Sequence, residues 1–378
     1  MFESGMRWSG QAIDHDDGAL PGLELPGLRA TGLLRTVRSP EFAGVTFHEV
    51  LAKSALSKVP AASQMPFRWT VNPYRGCSHA CSYCFARNTH EYLDLDSGAD
   101  FDSQVVVKVN ADQVLRAELA KPSWTHAAVA LGTNTDPYQR AEGRYQLMPG
   151  IISALADSGT PFSILTKGTL LRRDLPLLVQ AAEKVDVGLG VSLAFADSPA
   201  GKELQQAVEP GTPTPRARLD LIRAIRAAGL PCGVMVAPVL PWLTDSLAHL
   251  ERLLDGIVDA GATGVTVLPL HLRPGAREWY LGWLERSHPH LVEGYGRVYA
   301  RGAYAHKGYR DWLWERVRPL LDERGLGGAA MHRAGAADAV QAGQHGEGDY
   351  PRGALTAVRA DGAGAASVGA DVGSGTLF

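Results

Sequence analysis

From about residue 66 the chain alternates short β-branched runs with amphipathic stretches. Continuous apolar runs predict strands over 104–109, 127–133, 161–166, 187–193, 232–239 and 263–269. Helical spacing predicts helices over 111–120, 148–158, 171–184, 215–228 and 246–260. In the stretch 216–226, Leu219, Ile222 and Ile225 fall on one face and the arginines take the others. Gly229 and Gly261 read as helix stops. Strands alternating with helices argue for a parallel sheet, whose functional residues gather in the loops after the strands.

The pattern fails at both ends. Residues 1–45 are rich in Gly, Pro and charge and read as an extension that wraps or stays loose. Residues 274–325 lose the strand pattern and look helical. They hold Trp279, Trp283, Trp312 and Trp314 among tyrosines and basic residues. Such a mixture suits a platform for stacking bases, or a set of aromatics closing the open side of a barrel as core. Residues 334–378 are mostly small and polar and are expected to be disordered. The expected organisation is an N-terminal extension over 1–60, a core over 61–273, a helical region over 274–330 and a tail over 331–378.

Composition changes this picture little. The net charge of −3 excludes a global basic field for nucleic acid. No apolar run approaches the ~20 residues of a membrane helix, and residues 1–11 carry no secretory pattern, so a cytoplasmic location is expected.

The chemistry lies in the cysteines. Three of the four, Cys77, Cys81 and Cys84, form C-x-x-x-C-x-x-C, and the fourth, Cys232, is remote. Three thiolates in one loop can hold three irons of a four-iron cluster and leave one iron open. The competing reading is a zinc knuckle completed by His79, although zinc ligands usually come as two separated pairs. A disulfide would leave one cysteine odd. Cys232 begins an apolar run and reads as a small buried hydrophobe.

The cysteine loop resembles that of the radical S-adenosylmethionine (SAM) superfamily. Five further segments resemble spore photoproduct lyase and its relatives, in the same order: Gly132-Thr-Asn-Thr-Asp136, Leu165-Thr-Lys-Gly168, Val191-Ser-Leu193, Glu209-Pro-Gly-Thr212 and Val236-Ala-Pro238. The resemblance covers roughly residues 68–272. It implies an α/β fold, a partial (βα)6 TIM-type barrel with a helical C-terminal extension. It also implies a 4Fe-4S cluster on Cys77, Cys81 and Cys84, with S-adenosyl-L-methionine chelated to the open iron. Reductive cleavage then gives a 5′-deoxyadenosyl radical that abstracts hydrogen from a substrate, with nucleic acid one candidate class. A one-electron donor of the flavodoxin or ferredoxin type is the implied partner. The cofactor contacts it implies are Gly132, Thr133 and Asn134 near the methionyl ammonium, Lys167 at the carboxylate and Ser192 at the ribose. Tyr83, Val239 or Leu240 would lie against the adenine, and Glu209 matches a family position too.

Each of these has an ordinary alternative: loop packing for Tyr83, a solvated side chain for Lys167 and Glu209, a main-chain bond for Ser192, and core for Val239 and Leu240. Thr133 stands where the lyase has a hydrogen-returning cysteine, and an O–H bond is a poor hydrogen donor, so reversal of the spore lesion is not expected. A non-catalytic, metal-stabilised nucleic-acid-binding module is the reading from another class. The terminal Leu377-Phe378 resembles the peptide that repair proteins insert into the sliding clamp.

Overall fold

The structure is a computed structural model that describes residues 32–60 and 67–326, with Gly27, Met65 and Ala357–Val358. The alternation seen in the sequence becomes six parallel strands: β4 (Trp69–Val71), β7 (Val129–Leu131), β8 (Phe162–Thr166), β9 (Val187–Ser192), β10 (Gly233–Val239) and β11 (Gly264–Pro269). They lie side by side in the order β11-β10-β9-β8-β7-β4, and β3 (Leu56–Lys58) adds an antiparallel edge to β4. This is the expected partial barrel.

Strand register explains the sequence of β9, Val-Gly-Leu-Gly-Val-Ser. Val187, Leu189 and Val191 join the large core, while Gly190 lies opposite Leu165 and Ser192 opposite Met235. Leu165, Met235, Ala237 and Leu268 form a separate apolar cluster on that second face. One face of the sheet is therefore packed by branched residues and helices, and the other carries the small residues of β9 beside that apolar cluster.

The helices are α1 (Ala99–Ser103), α2 (Ala111–Leu119), α3 (Arg140–Tyr145), α4 (Leu147–Asp157), α5 (Leu175–Ala182), α6 (Pro199–Val208), α7 (Pro215–Ala227) and α8 (Leu247–Asp259). α7 starts where Thr214 accepts from the Ala217 N–H, with Pro215 as first residue; α8 starts where Ser246 accepts from His249. Gly229 and Gly261 follow these two helices in the left-handed conformation.

Three differences from the sequence reading matter. The strand at 104–109 is β6 (Gln104–Lys108), and it leaves the barrel for a second sheet. That sheet, ordered β1-β2-β6-β5, is built with β1 (Leu33–Arg38), β2 (Thr46–Val50) and β5 (Tyr74–Arg75). So residues 33–50 wrap onto the fold as strands. Second, α6 was not anticipated. Third, α7 does not expose all its arginines, because Arg218 is fully buried.

The C-terminal region is helical as expected: α9 (Ala276–Ser287), α10 (Val292–Val298) and α11 (Lys307–Glu323). Tyr280, Tyr295, Tyr299 and Tyr309 are buried and fully engaged. Tyr280 and Tyr295 share a hydroxyl contact at 2.9 Å, Tyr299 donates to the Leu270 carbonyl and Tyr309 to Asp245. These aromatics are core, not a stacking platform; Tyr304 and Trp312 are the ones left exposed. The tail lies outside the described residues, as does its terminal Leu-Phe pair, except that Ala357–Val358 pair antiparallel with β9.

Candidate active site

The strands deliver their C-terminal ends to one rim, and the cysteine loop follows the first of them. Cys77 and Cys81 are buried, Cys84 is half-buried, and none forms a disulfide. The backbone turns at each cysteine: Ala80 donates to Cys77, Cys84 to Cys81, and Arg87 to Cys84. Burial raises the Cys81 thiol well above its ordinary value, Glu209 adds to this and Lys167 opposes it. Burial and the neighbouring Cys77 push Cys84 up to about 11, against Arg87 and Lys167. The three thiols thus lie near enough to sense one another, with two cations beside them.

His79 lies against Cys77 and is turned to a carboxylate as well. Its ring is buried and its Nδ1 pairs with Asp136 at 3.3 Å. Among the described residues, no three His, Cys, Asp or Glu side chains are gathered to hold a single metal ion. Three soft donors in one pinned loop, without a fourth, instead fit a cluster that keeps one iron open.

The remaining candidates fall into three groups. Lys167, Glu209 and Tyr83 come together. Glu209 is fully buried and accepts from Tyr83, Arg218 and Thr212. The Lys167 Nζ lies 4.0 Å from Glu209 and 5.8 Å from the centre of the Tyr83 ring. Neither Lys167 nor Glu209 is a solvated loop residue. Burial alone would lower the Lys167 pKa, but Glu209 and Cys81 outweigh it and raise it. Burial would raise that of Glu209, and Arg218, then Lys167, hold it below the usual carboxylate range. Sequence reasoning missed Arg218, which also donates to the Ser192 carbonyl at 3.0 Å. Its one signal was position: four arginines on one helix cannot be told apart by charge, but Arg218 shares a face with Ile222 and Ile225 and follows Thr212 closely.

In the second group each side chain is bonded or packed within the fold. Ser192 Oγ donates to the Ala237 carbonyl at 3.3 Å. Val239 and Leu240 are buried in the main core. Cys232 is buried, burial pushes its thiol up to about 12, and its nearest acceptor is the Gly233 carbonyl. It takes no part in the site.

Gly132, Thr133 and Asn134 line the rim after β7. Gly132 has φ +88°, and a Cβ there would lie 1.9 Å from the Leu165 carbonyl oxygen, so this loop rests directly on β8. The Asn134 N–H is bonded to Asn72 Oδ1, and Thr133 Oγ1 accepts weakly from Asn72 at 3.5 Å. Asp136, in the same segment, ties the rim together. It accepts from Thr166 Oγ1 and the Lys167 N–H at 2.6 and 2.7 Å while holding His79.

Residues 71–254 match the model of the radical SAM superfamily. The chain belongs to that superfamily. Uncharacterised proteins of Mycobacterium bovis and Mycobacterium tuberculosis are each 63% identical over 328 residues, which is 85% of this chain and 94% of theirs. Among solved structures, spore photoproduct lyase complexed with dinucleoside spore photoproduct has a TM-score of 0.55 at 14% identity, covering 75% of this chain and 81% of the lyase. A variant of that lyase with bound AdoMet and the dinucleoside has a TM-score of 0.54 at 14% identity, covering 73% and 78%. At that identity the likeness is one of fold. This radical SAM protein is therefore an enzyme, and the reading as a non-catalytic binding module falls. Among the described residues, no helix is long and apolar enough to cross a membrane.

Proposed function

We propose that Cys77, Cys81 and Cys84 hold a 4Fe-4S cluster and that Lys167 receives the carboxylate of S-adenosyl-L-methionine. The observation that carries this is a charge imbalance. Lys167 and Arg218, two cations, share the single carboxylate of Glu209 in the interior, beside the thiols. Arg218 bonds Glu209 directly and Lys167 stands farther off, so the surplus positive charge rests on Lys167. A buried surplus charge is costly until an anion meets it, and a cofactor carboxylate is such an anion. When bound, the cluster and cofactor supply a 5′-deoxyadenosyl radical that removes hydrogen from a substrate.

The chain's own residues do the rest. Asp136 fixes the end of β8 through the Lys167 N–H, so the ammonium starts from one place. Glu209 holds Tyr83 by its hydroxyl and keeps Lys167 charged. Gly132 lets the next loop lie flat on β8, where the Thr133 and Asn134 side chains stay half-exposed at the rim. The substrate class that supports itself best on that rim is nucleic acid. Phe85, directly after Cys84, is exposed with Arg273 5.4 Å from its ring centre, and exposed Tyr304 packs on His271. Exposed rings with a cation suit a base and a phosphate. A ferredoxin- or flavodoxin-type donor would supply the electron, in a cytoplasmic setting. The catalytic unit is residues 61–273, closed by 274–330. Anaerobic reconstitution tests the reading: S-adenosylmethionine and reductant should yield 5′-deoxyadenosine, and deuterium from a labelled oligonucleotide should appear in it. Absence of turnover by a fully loaded protein would remove the proposal.

A further inference from the structure

Arg87 is a charged residue that the site does not yet use. It follows Cys84 by one turn and is fully buried. Its guanidinium spends its donors on three segments. Nε and Nη2 both donate to the Cys81 carbonyl, at 3.1 and 2.9 Å. Nη1 donates to the Gly98 carbonyl at 2.7 Å, and Nη2 reaches both oxygens of Asp102 at 2.8 and 3.0 Å. Its faces are covered by aromatic rings, Phe101 with its centre 5.2 Å away and Trp279 with its centre 5.0 Å away. Phe101 returns to the same loop, because its carbonyl accepts the Cys77 N–H. Trp279 comes from α9, in the C-terminal region, and is seated tightly: a Cβ on Gly98 would lie 2.6 Å from its ring.

A lone surface pair does not need this much structure. A planar fork bonding one carbonyl twice fixes the direction of that carbonyl, and with it the peptide between the second and third cysteines. Asp102 offsets part of this charge, since it binds the same Nη2 that donates to Cys81, although burial pushes its carboxyl up to about 6, against Arg87. The Cys81 carbonyl still meets the guanidinium directly, and the same cation acts to lower the Cys84 thiol pKa. Positive charge beside an iron–sulfur cluster favours the more negative, reduced state.

We propose that Arg87, clamped by Trp279, is a positioning residue that sets the shape of the cysteine loop and raises the reduction potential of the cluster held there, so the C-terminal helical region is part of the cluster's support. The inference rests on the assignment of Cys77, Cys81 and Cys84 as cluster ligands.

The experiment compares the full-length chain with R87K, R87Q, W279F and W279A, reconstituted anaerobically with iron and sulfide. Iron and sulfide per chain, loss of iron to a chelator, and the midpoint potential of the visible band are read, with circular dichroism of each apo-protein as the fold control. R87Q should hold iron about tenfold less tightly, the usual size of an outer-shell effect, and its loaded fraction should titrate at a lower potential. R87K keeps the charge without the fork, so it should lose iron faster but titrate near the parent. W279A should fall between parent and R87Q, and W279F should match the parent. If R87Q fails to fold, the R87K and Trp279 variants carry the test. Folded R87Q and W279A with parental iron retention and potential would overturn the inference. A parent that binds no cluster would instead overturn the ligand assignment.

Discussion

Lys167 is held at 4.0 Å from Glu209, too far for a strong bond and close enough to stay charged. A charge-assisted bond from it to a carboxylate is worth about 1.5–3 kcal/mol. Lys167→Ala should therefore weaken S-adenosylmethionine binding roughly ten- to a hundredfold while iron content stays unchanged; calorimetric titration of loaded protein reads both the loss and its absence. Cys77→Ala, Cys81→Ala and Cys84→Ala should each abolish cluster loading, and Cys232→Ala should not, as iron and sulfide analysis will show. Thr133 remains a poor hydrogen donor at the rim, so incubation with spore photoproduct should release no thymine monomers. A pH effect belongs to Lys108, whose pKa burial lowers to about 8, with Arg75 adding to the shift. Between pH ~8 and its ordinary ~10.4 the unfolded chain binds the proton that the folded chain has lost. Stability from this group therefore rises with pH across that window. Thermal unfolding of Lys108→Met apo-protein should lack that rise relative to the parent, and parallel curves would refute it.

At the scale of elements, the loop Glu209–Thr212 presses on the cysteine loop. A Cβ on Gly211 would lie 1.9 Å from the Ser78 carbonyl oxygen, and the Gly211 N–H donates to the His79 carbonyl. Gly211→Ala must push these backbones apart, and should cost more than ~1 kcal/mol of stability and lower cluster loading; thermal unfolding with iron analysis checks both. The barrel strands and their helices were legible because alternation and helical spacing are local signals. Strands β8 to β11 lie within a residue or two of their expected ends. The second sheet was not legible, because β1 is half-exposed and β2 finds its parallel partner, β6, far along the chain. α6 was missed because Lys202, Glu203, Gln205 and Gln206 dilute its apolar face, and its pattern is carried by Leu204 and Val208 alone. The cysteines, Lys167 and Glu209 were legible as motifs. The burial of Arg218, Arg87 and His79 was not, since each is buried by partners that no local periodicity marks: Glu209, Asp102 with Trp279, and Asp136.

For the whole molecule, the barrel and the cysteine loop meet the C-terminal helices through Tyr295, Tyr299, Tyr309 and Trp279. The tyrosine core of that region leaves Tyr304 and Trp312 as its exposed rings, and Phe85 is exposed beside the cysteine loop. The account stands on a single chemical claim: three thiolates and one buried lysine serve a reductively cleaved S-adenosylmethionine. The most direct measurement is 5′-deoxyadenosine formed by the anaerobically reconstituted full-length protein with a one-electron reductant, run beside Cys81→Ala and Cys232→Ala. The account predicts a brown protein with four irons per chain as the limiting content, 5′-deoxyadenosine from the parent and from Cys232→Ala, and none from Cys81→Ala. A colourless protein carrying stoichiometric zinc, or a loaded cluster that leaves S-adenosylmethionine intact, would contradict it.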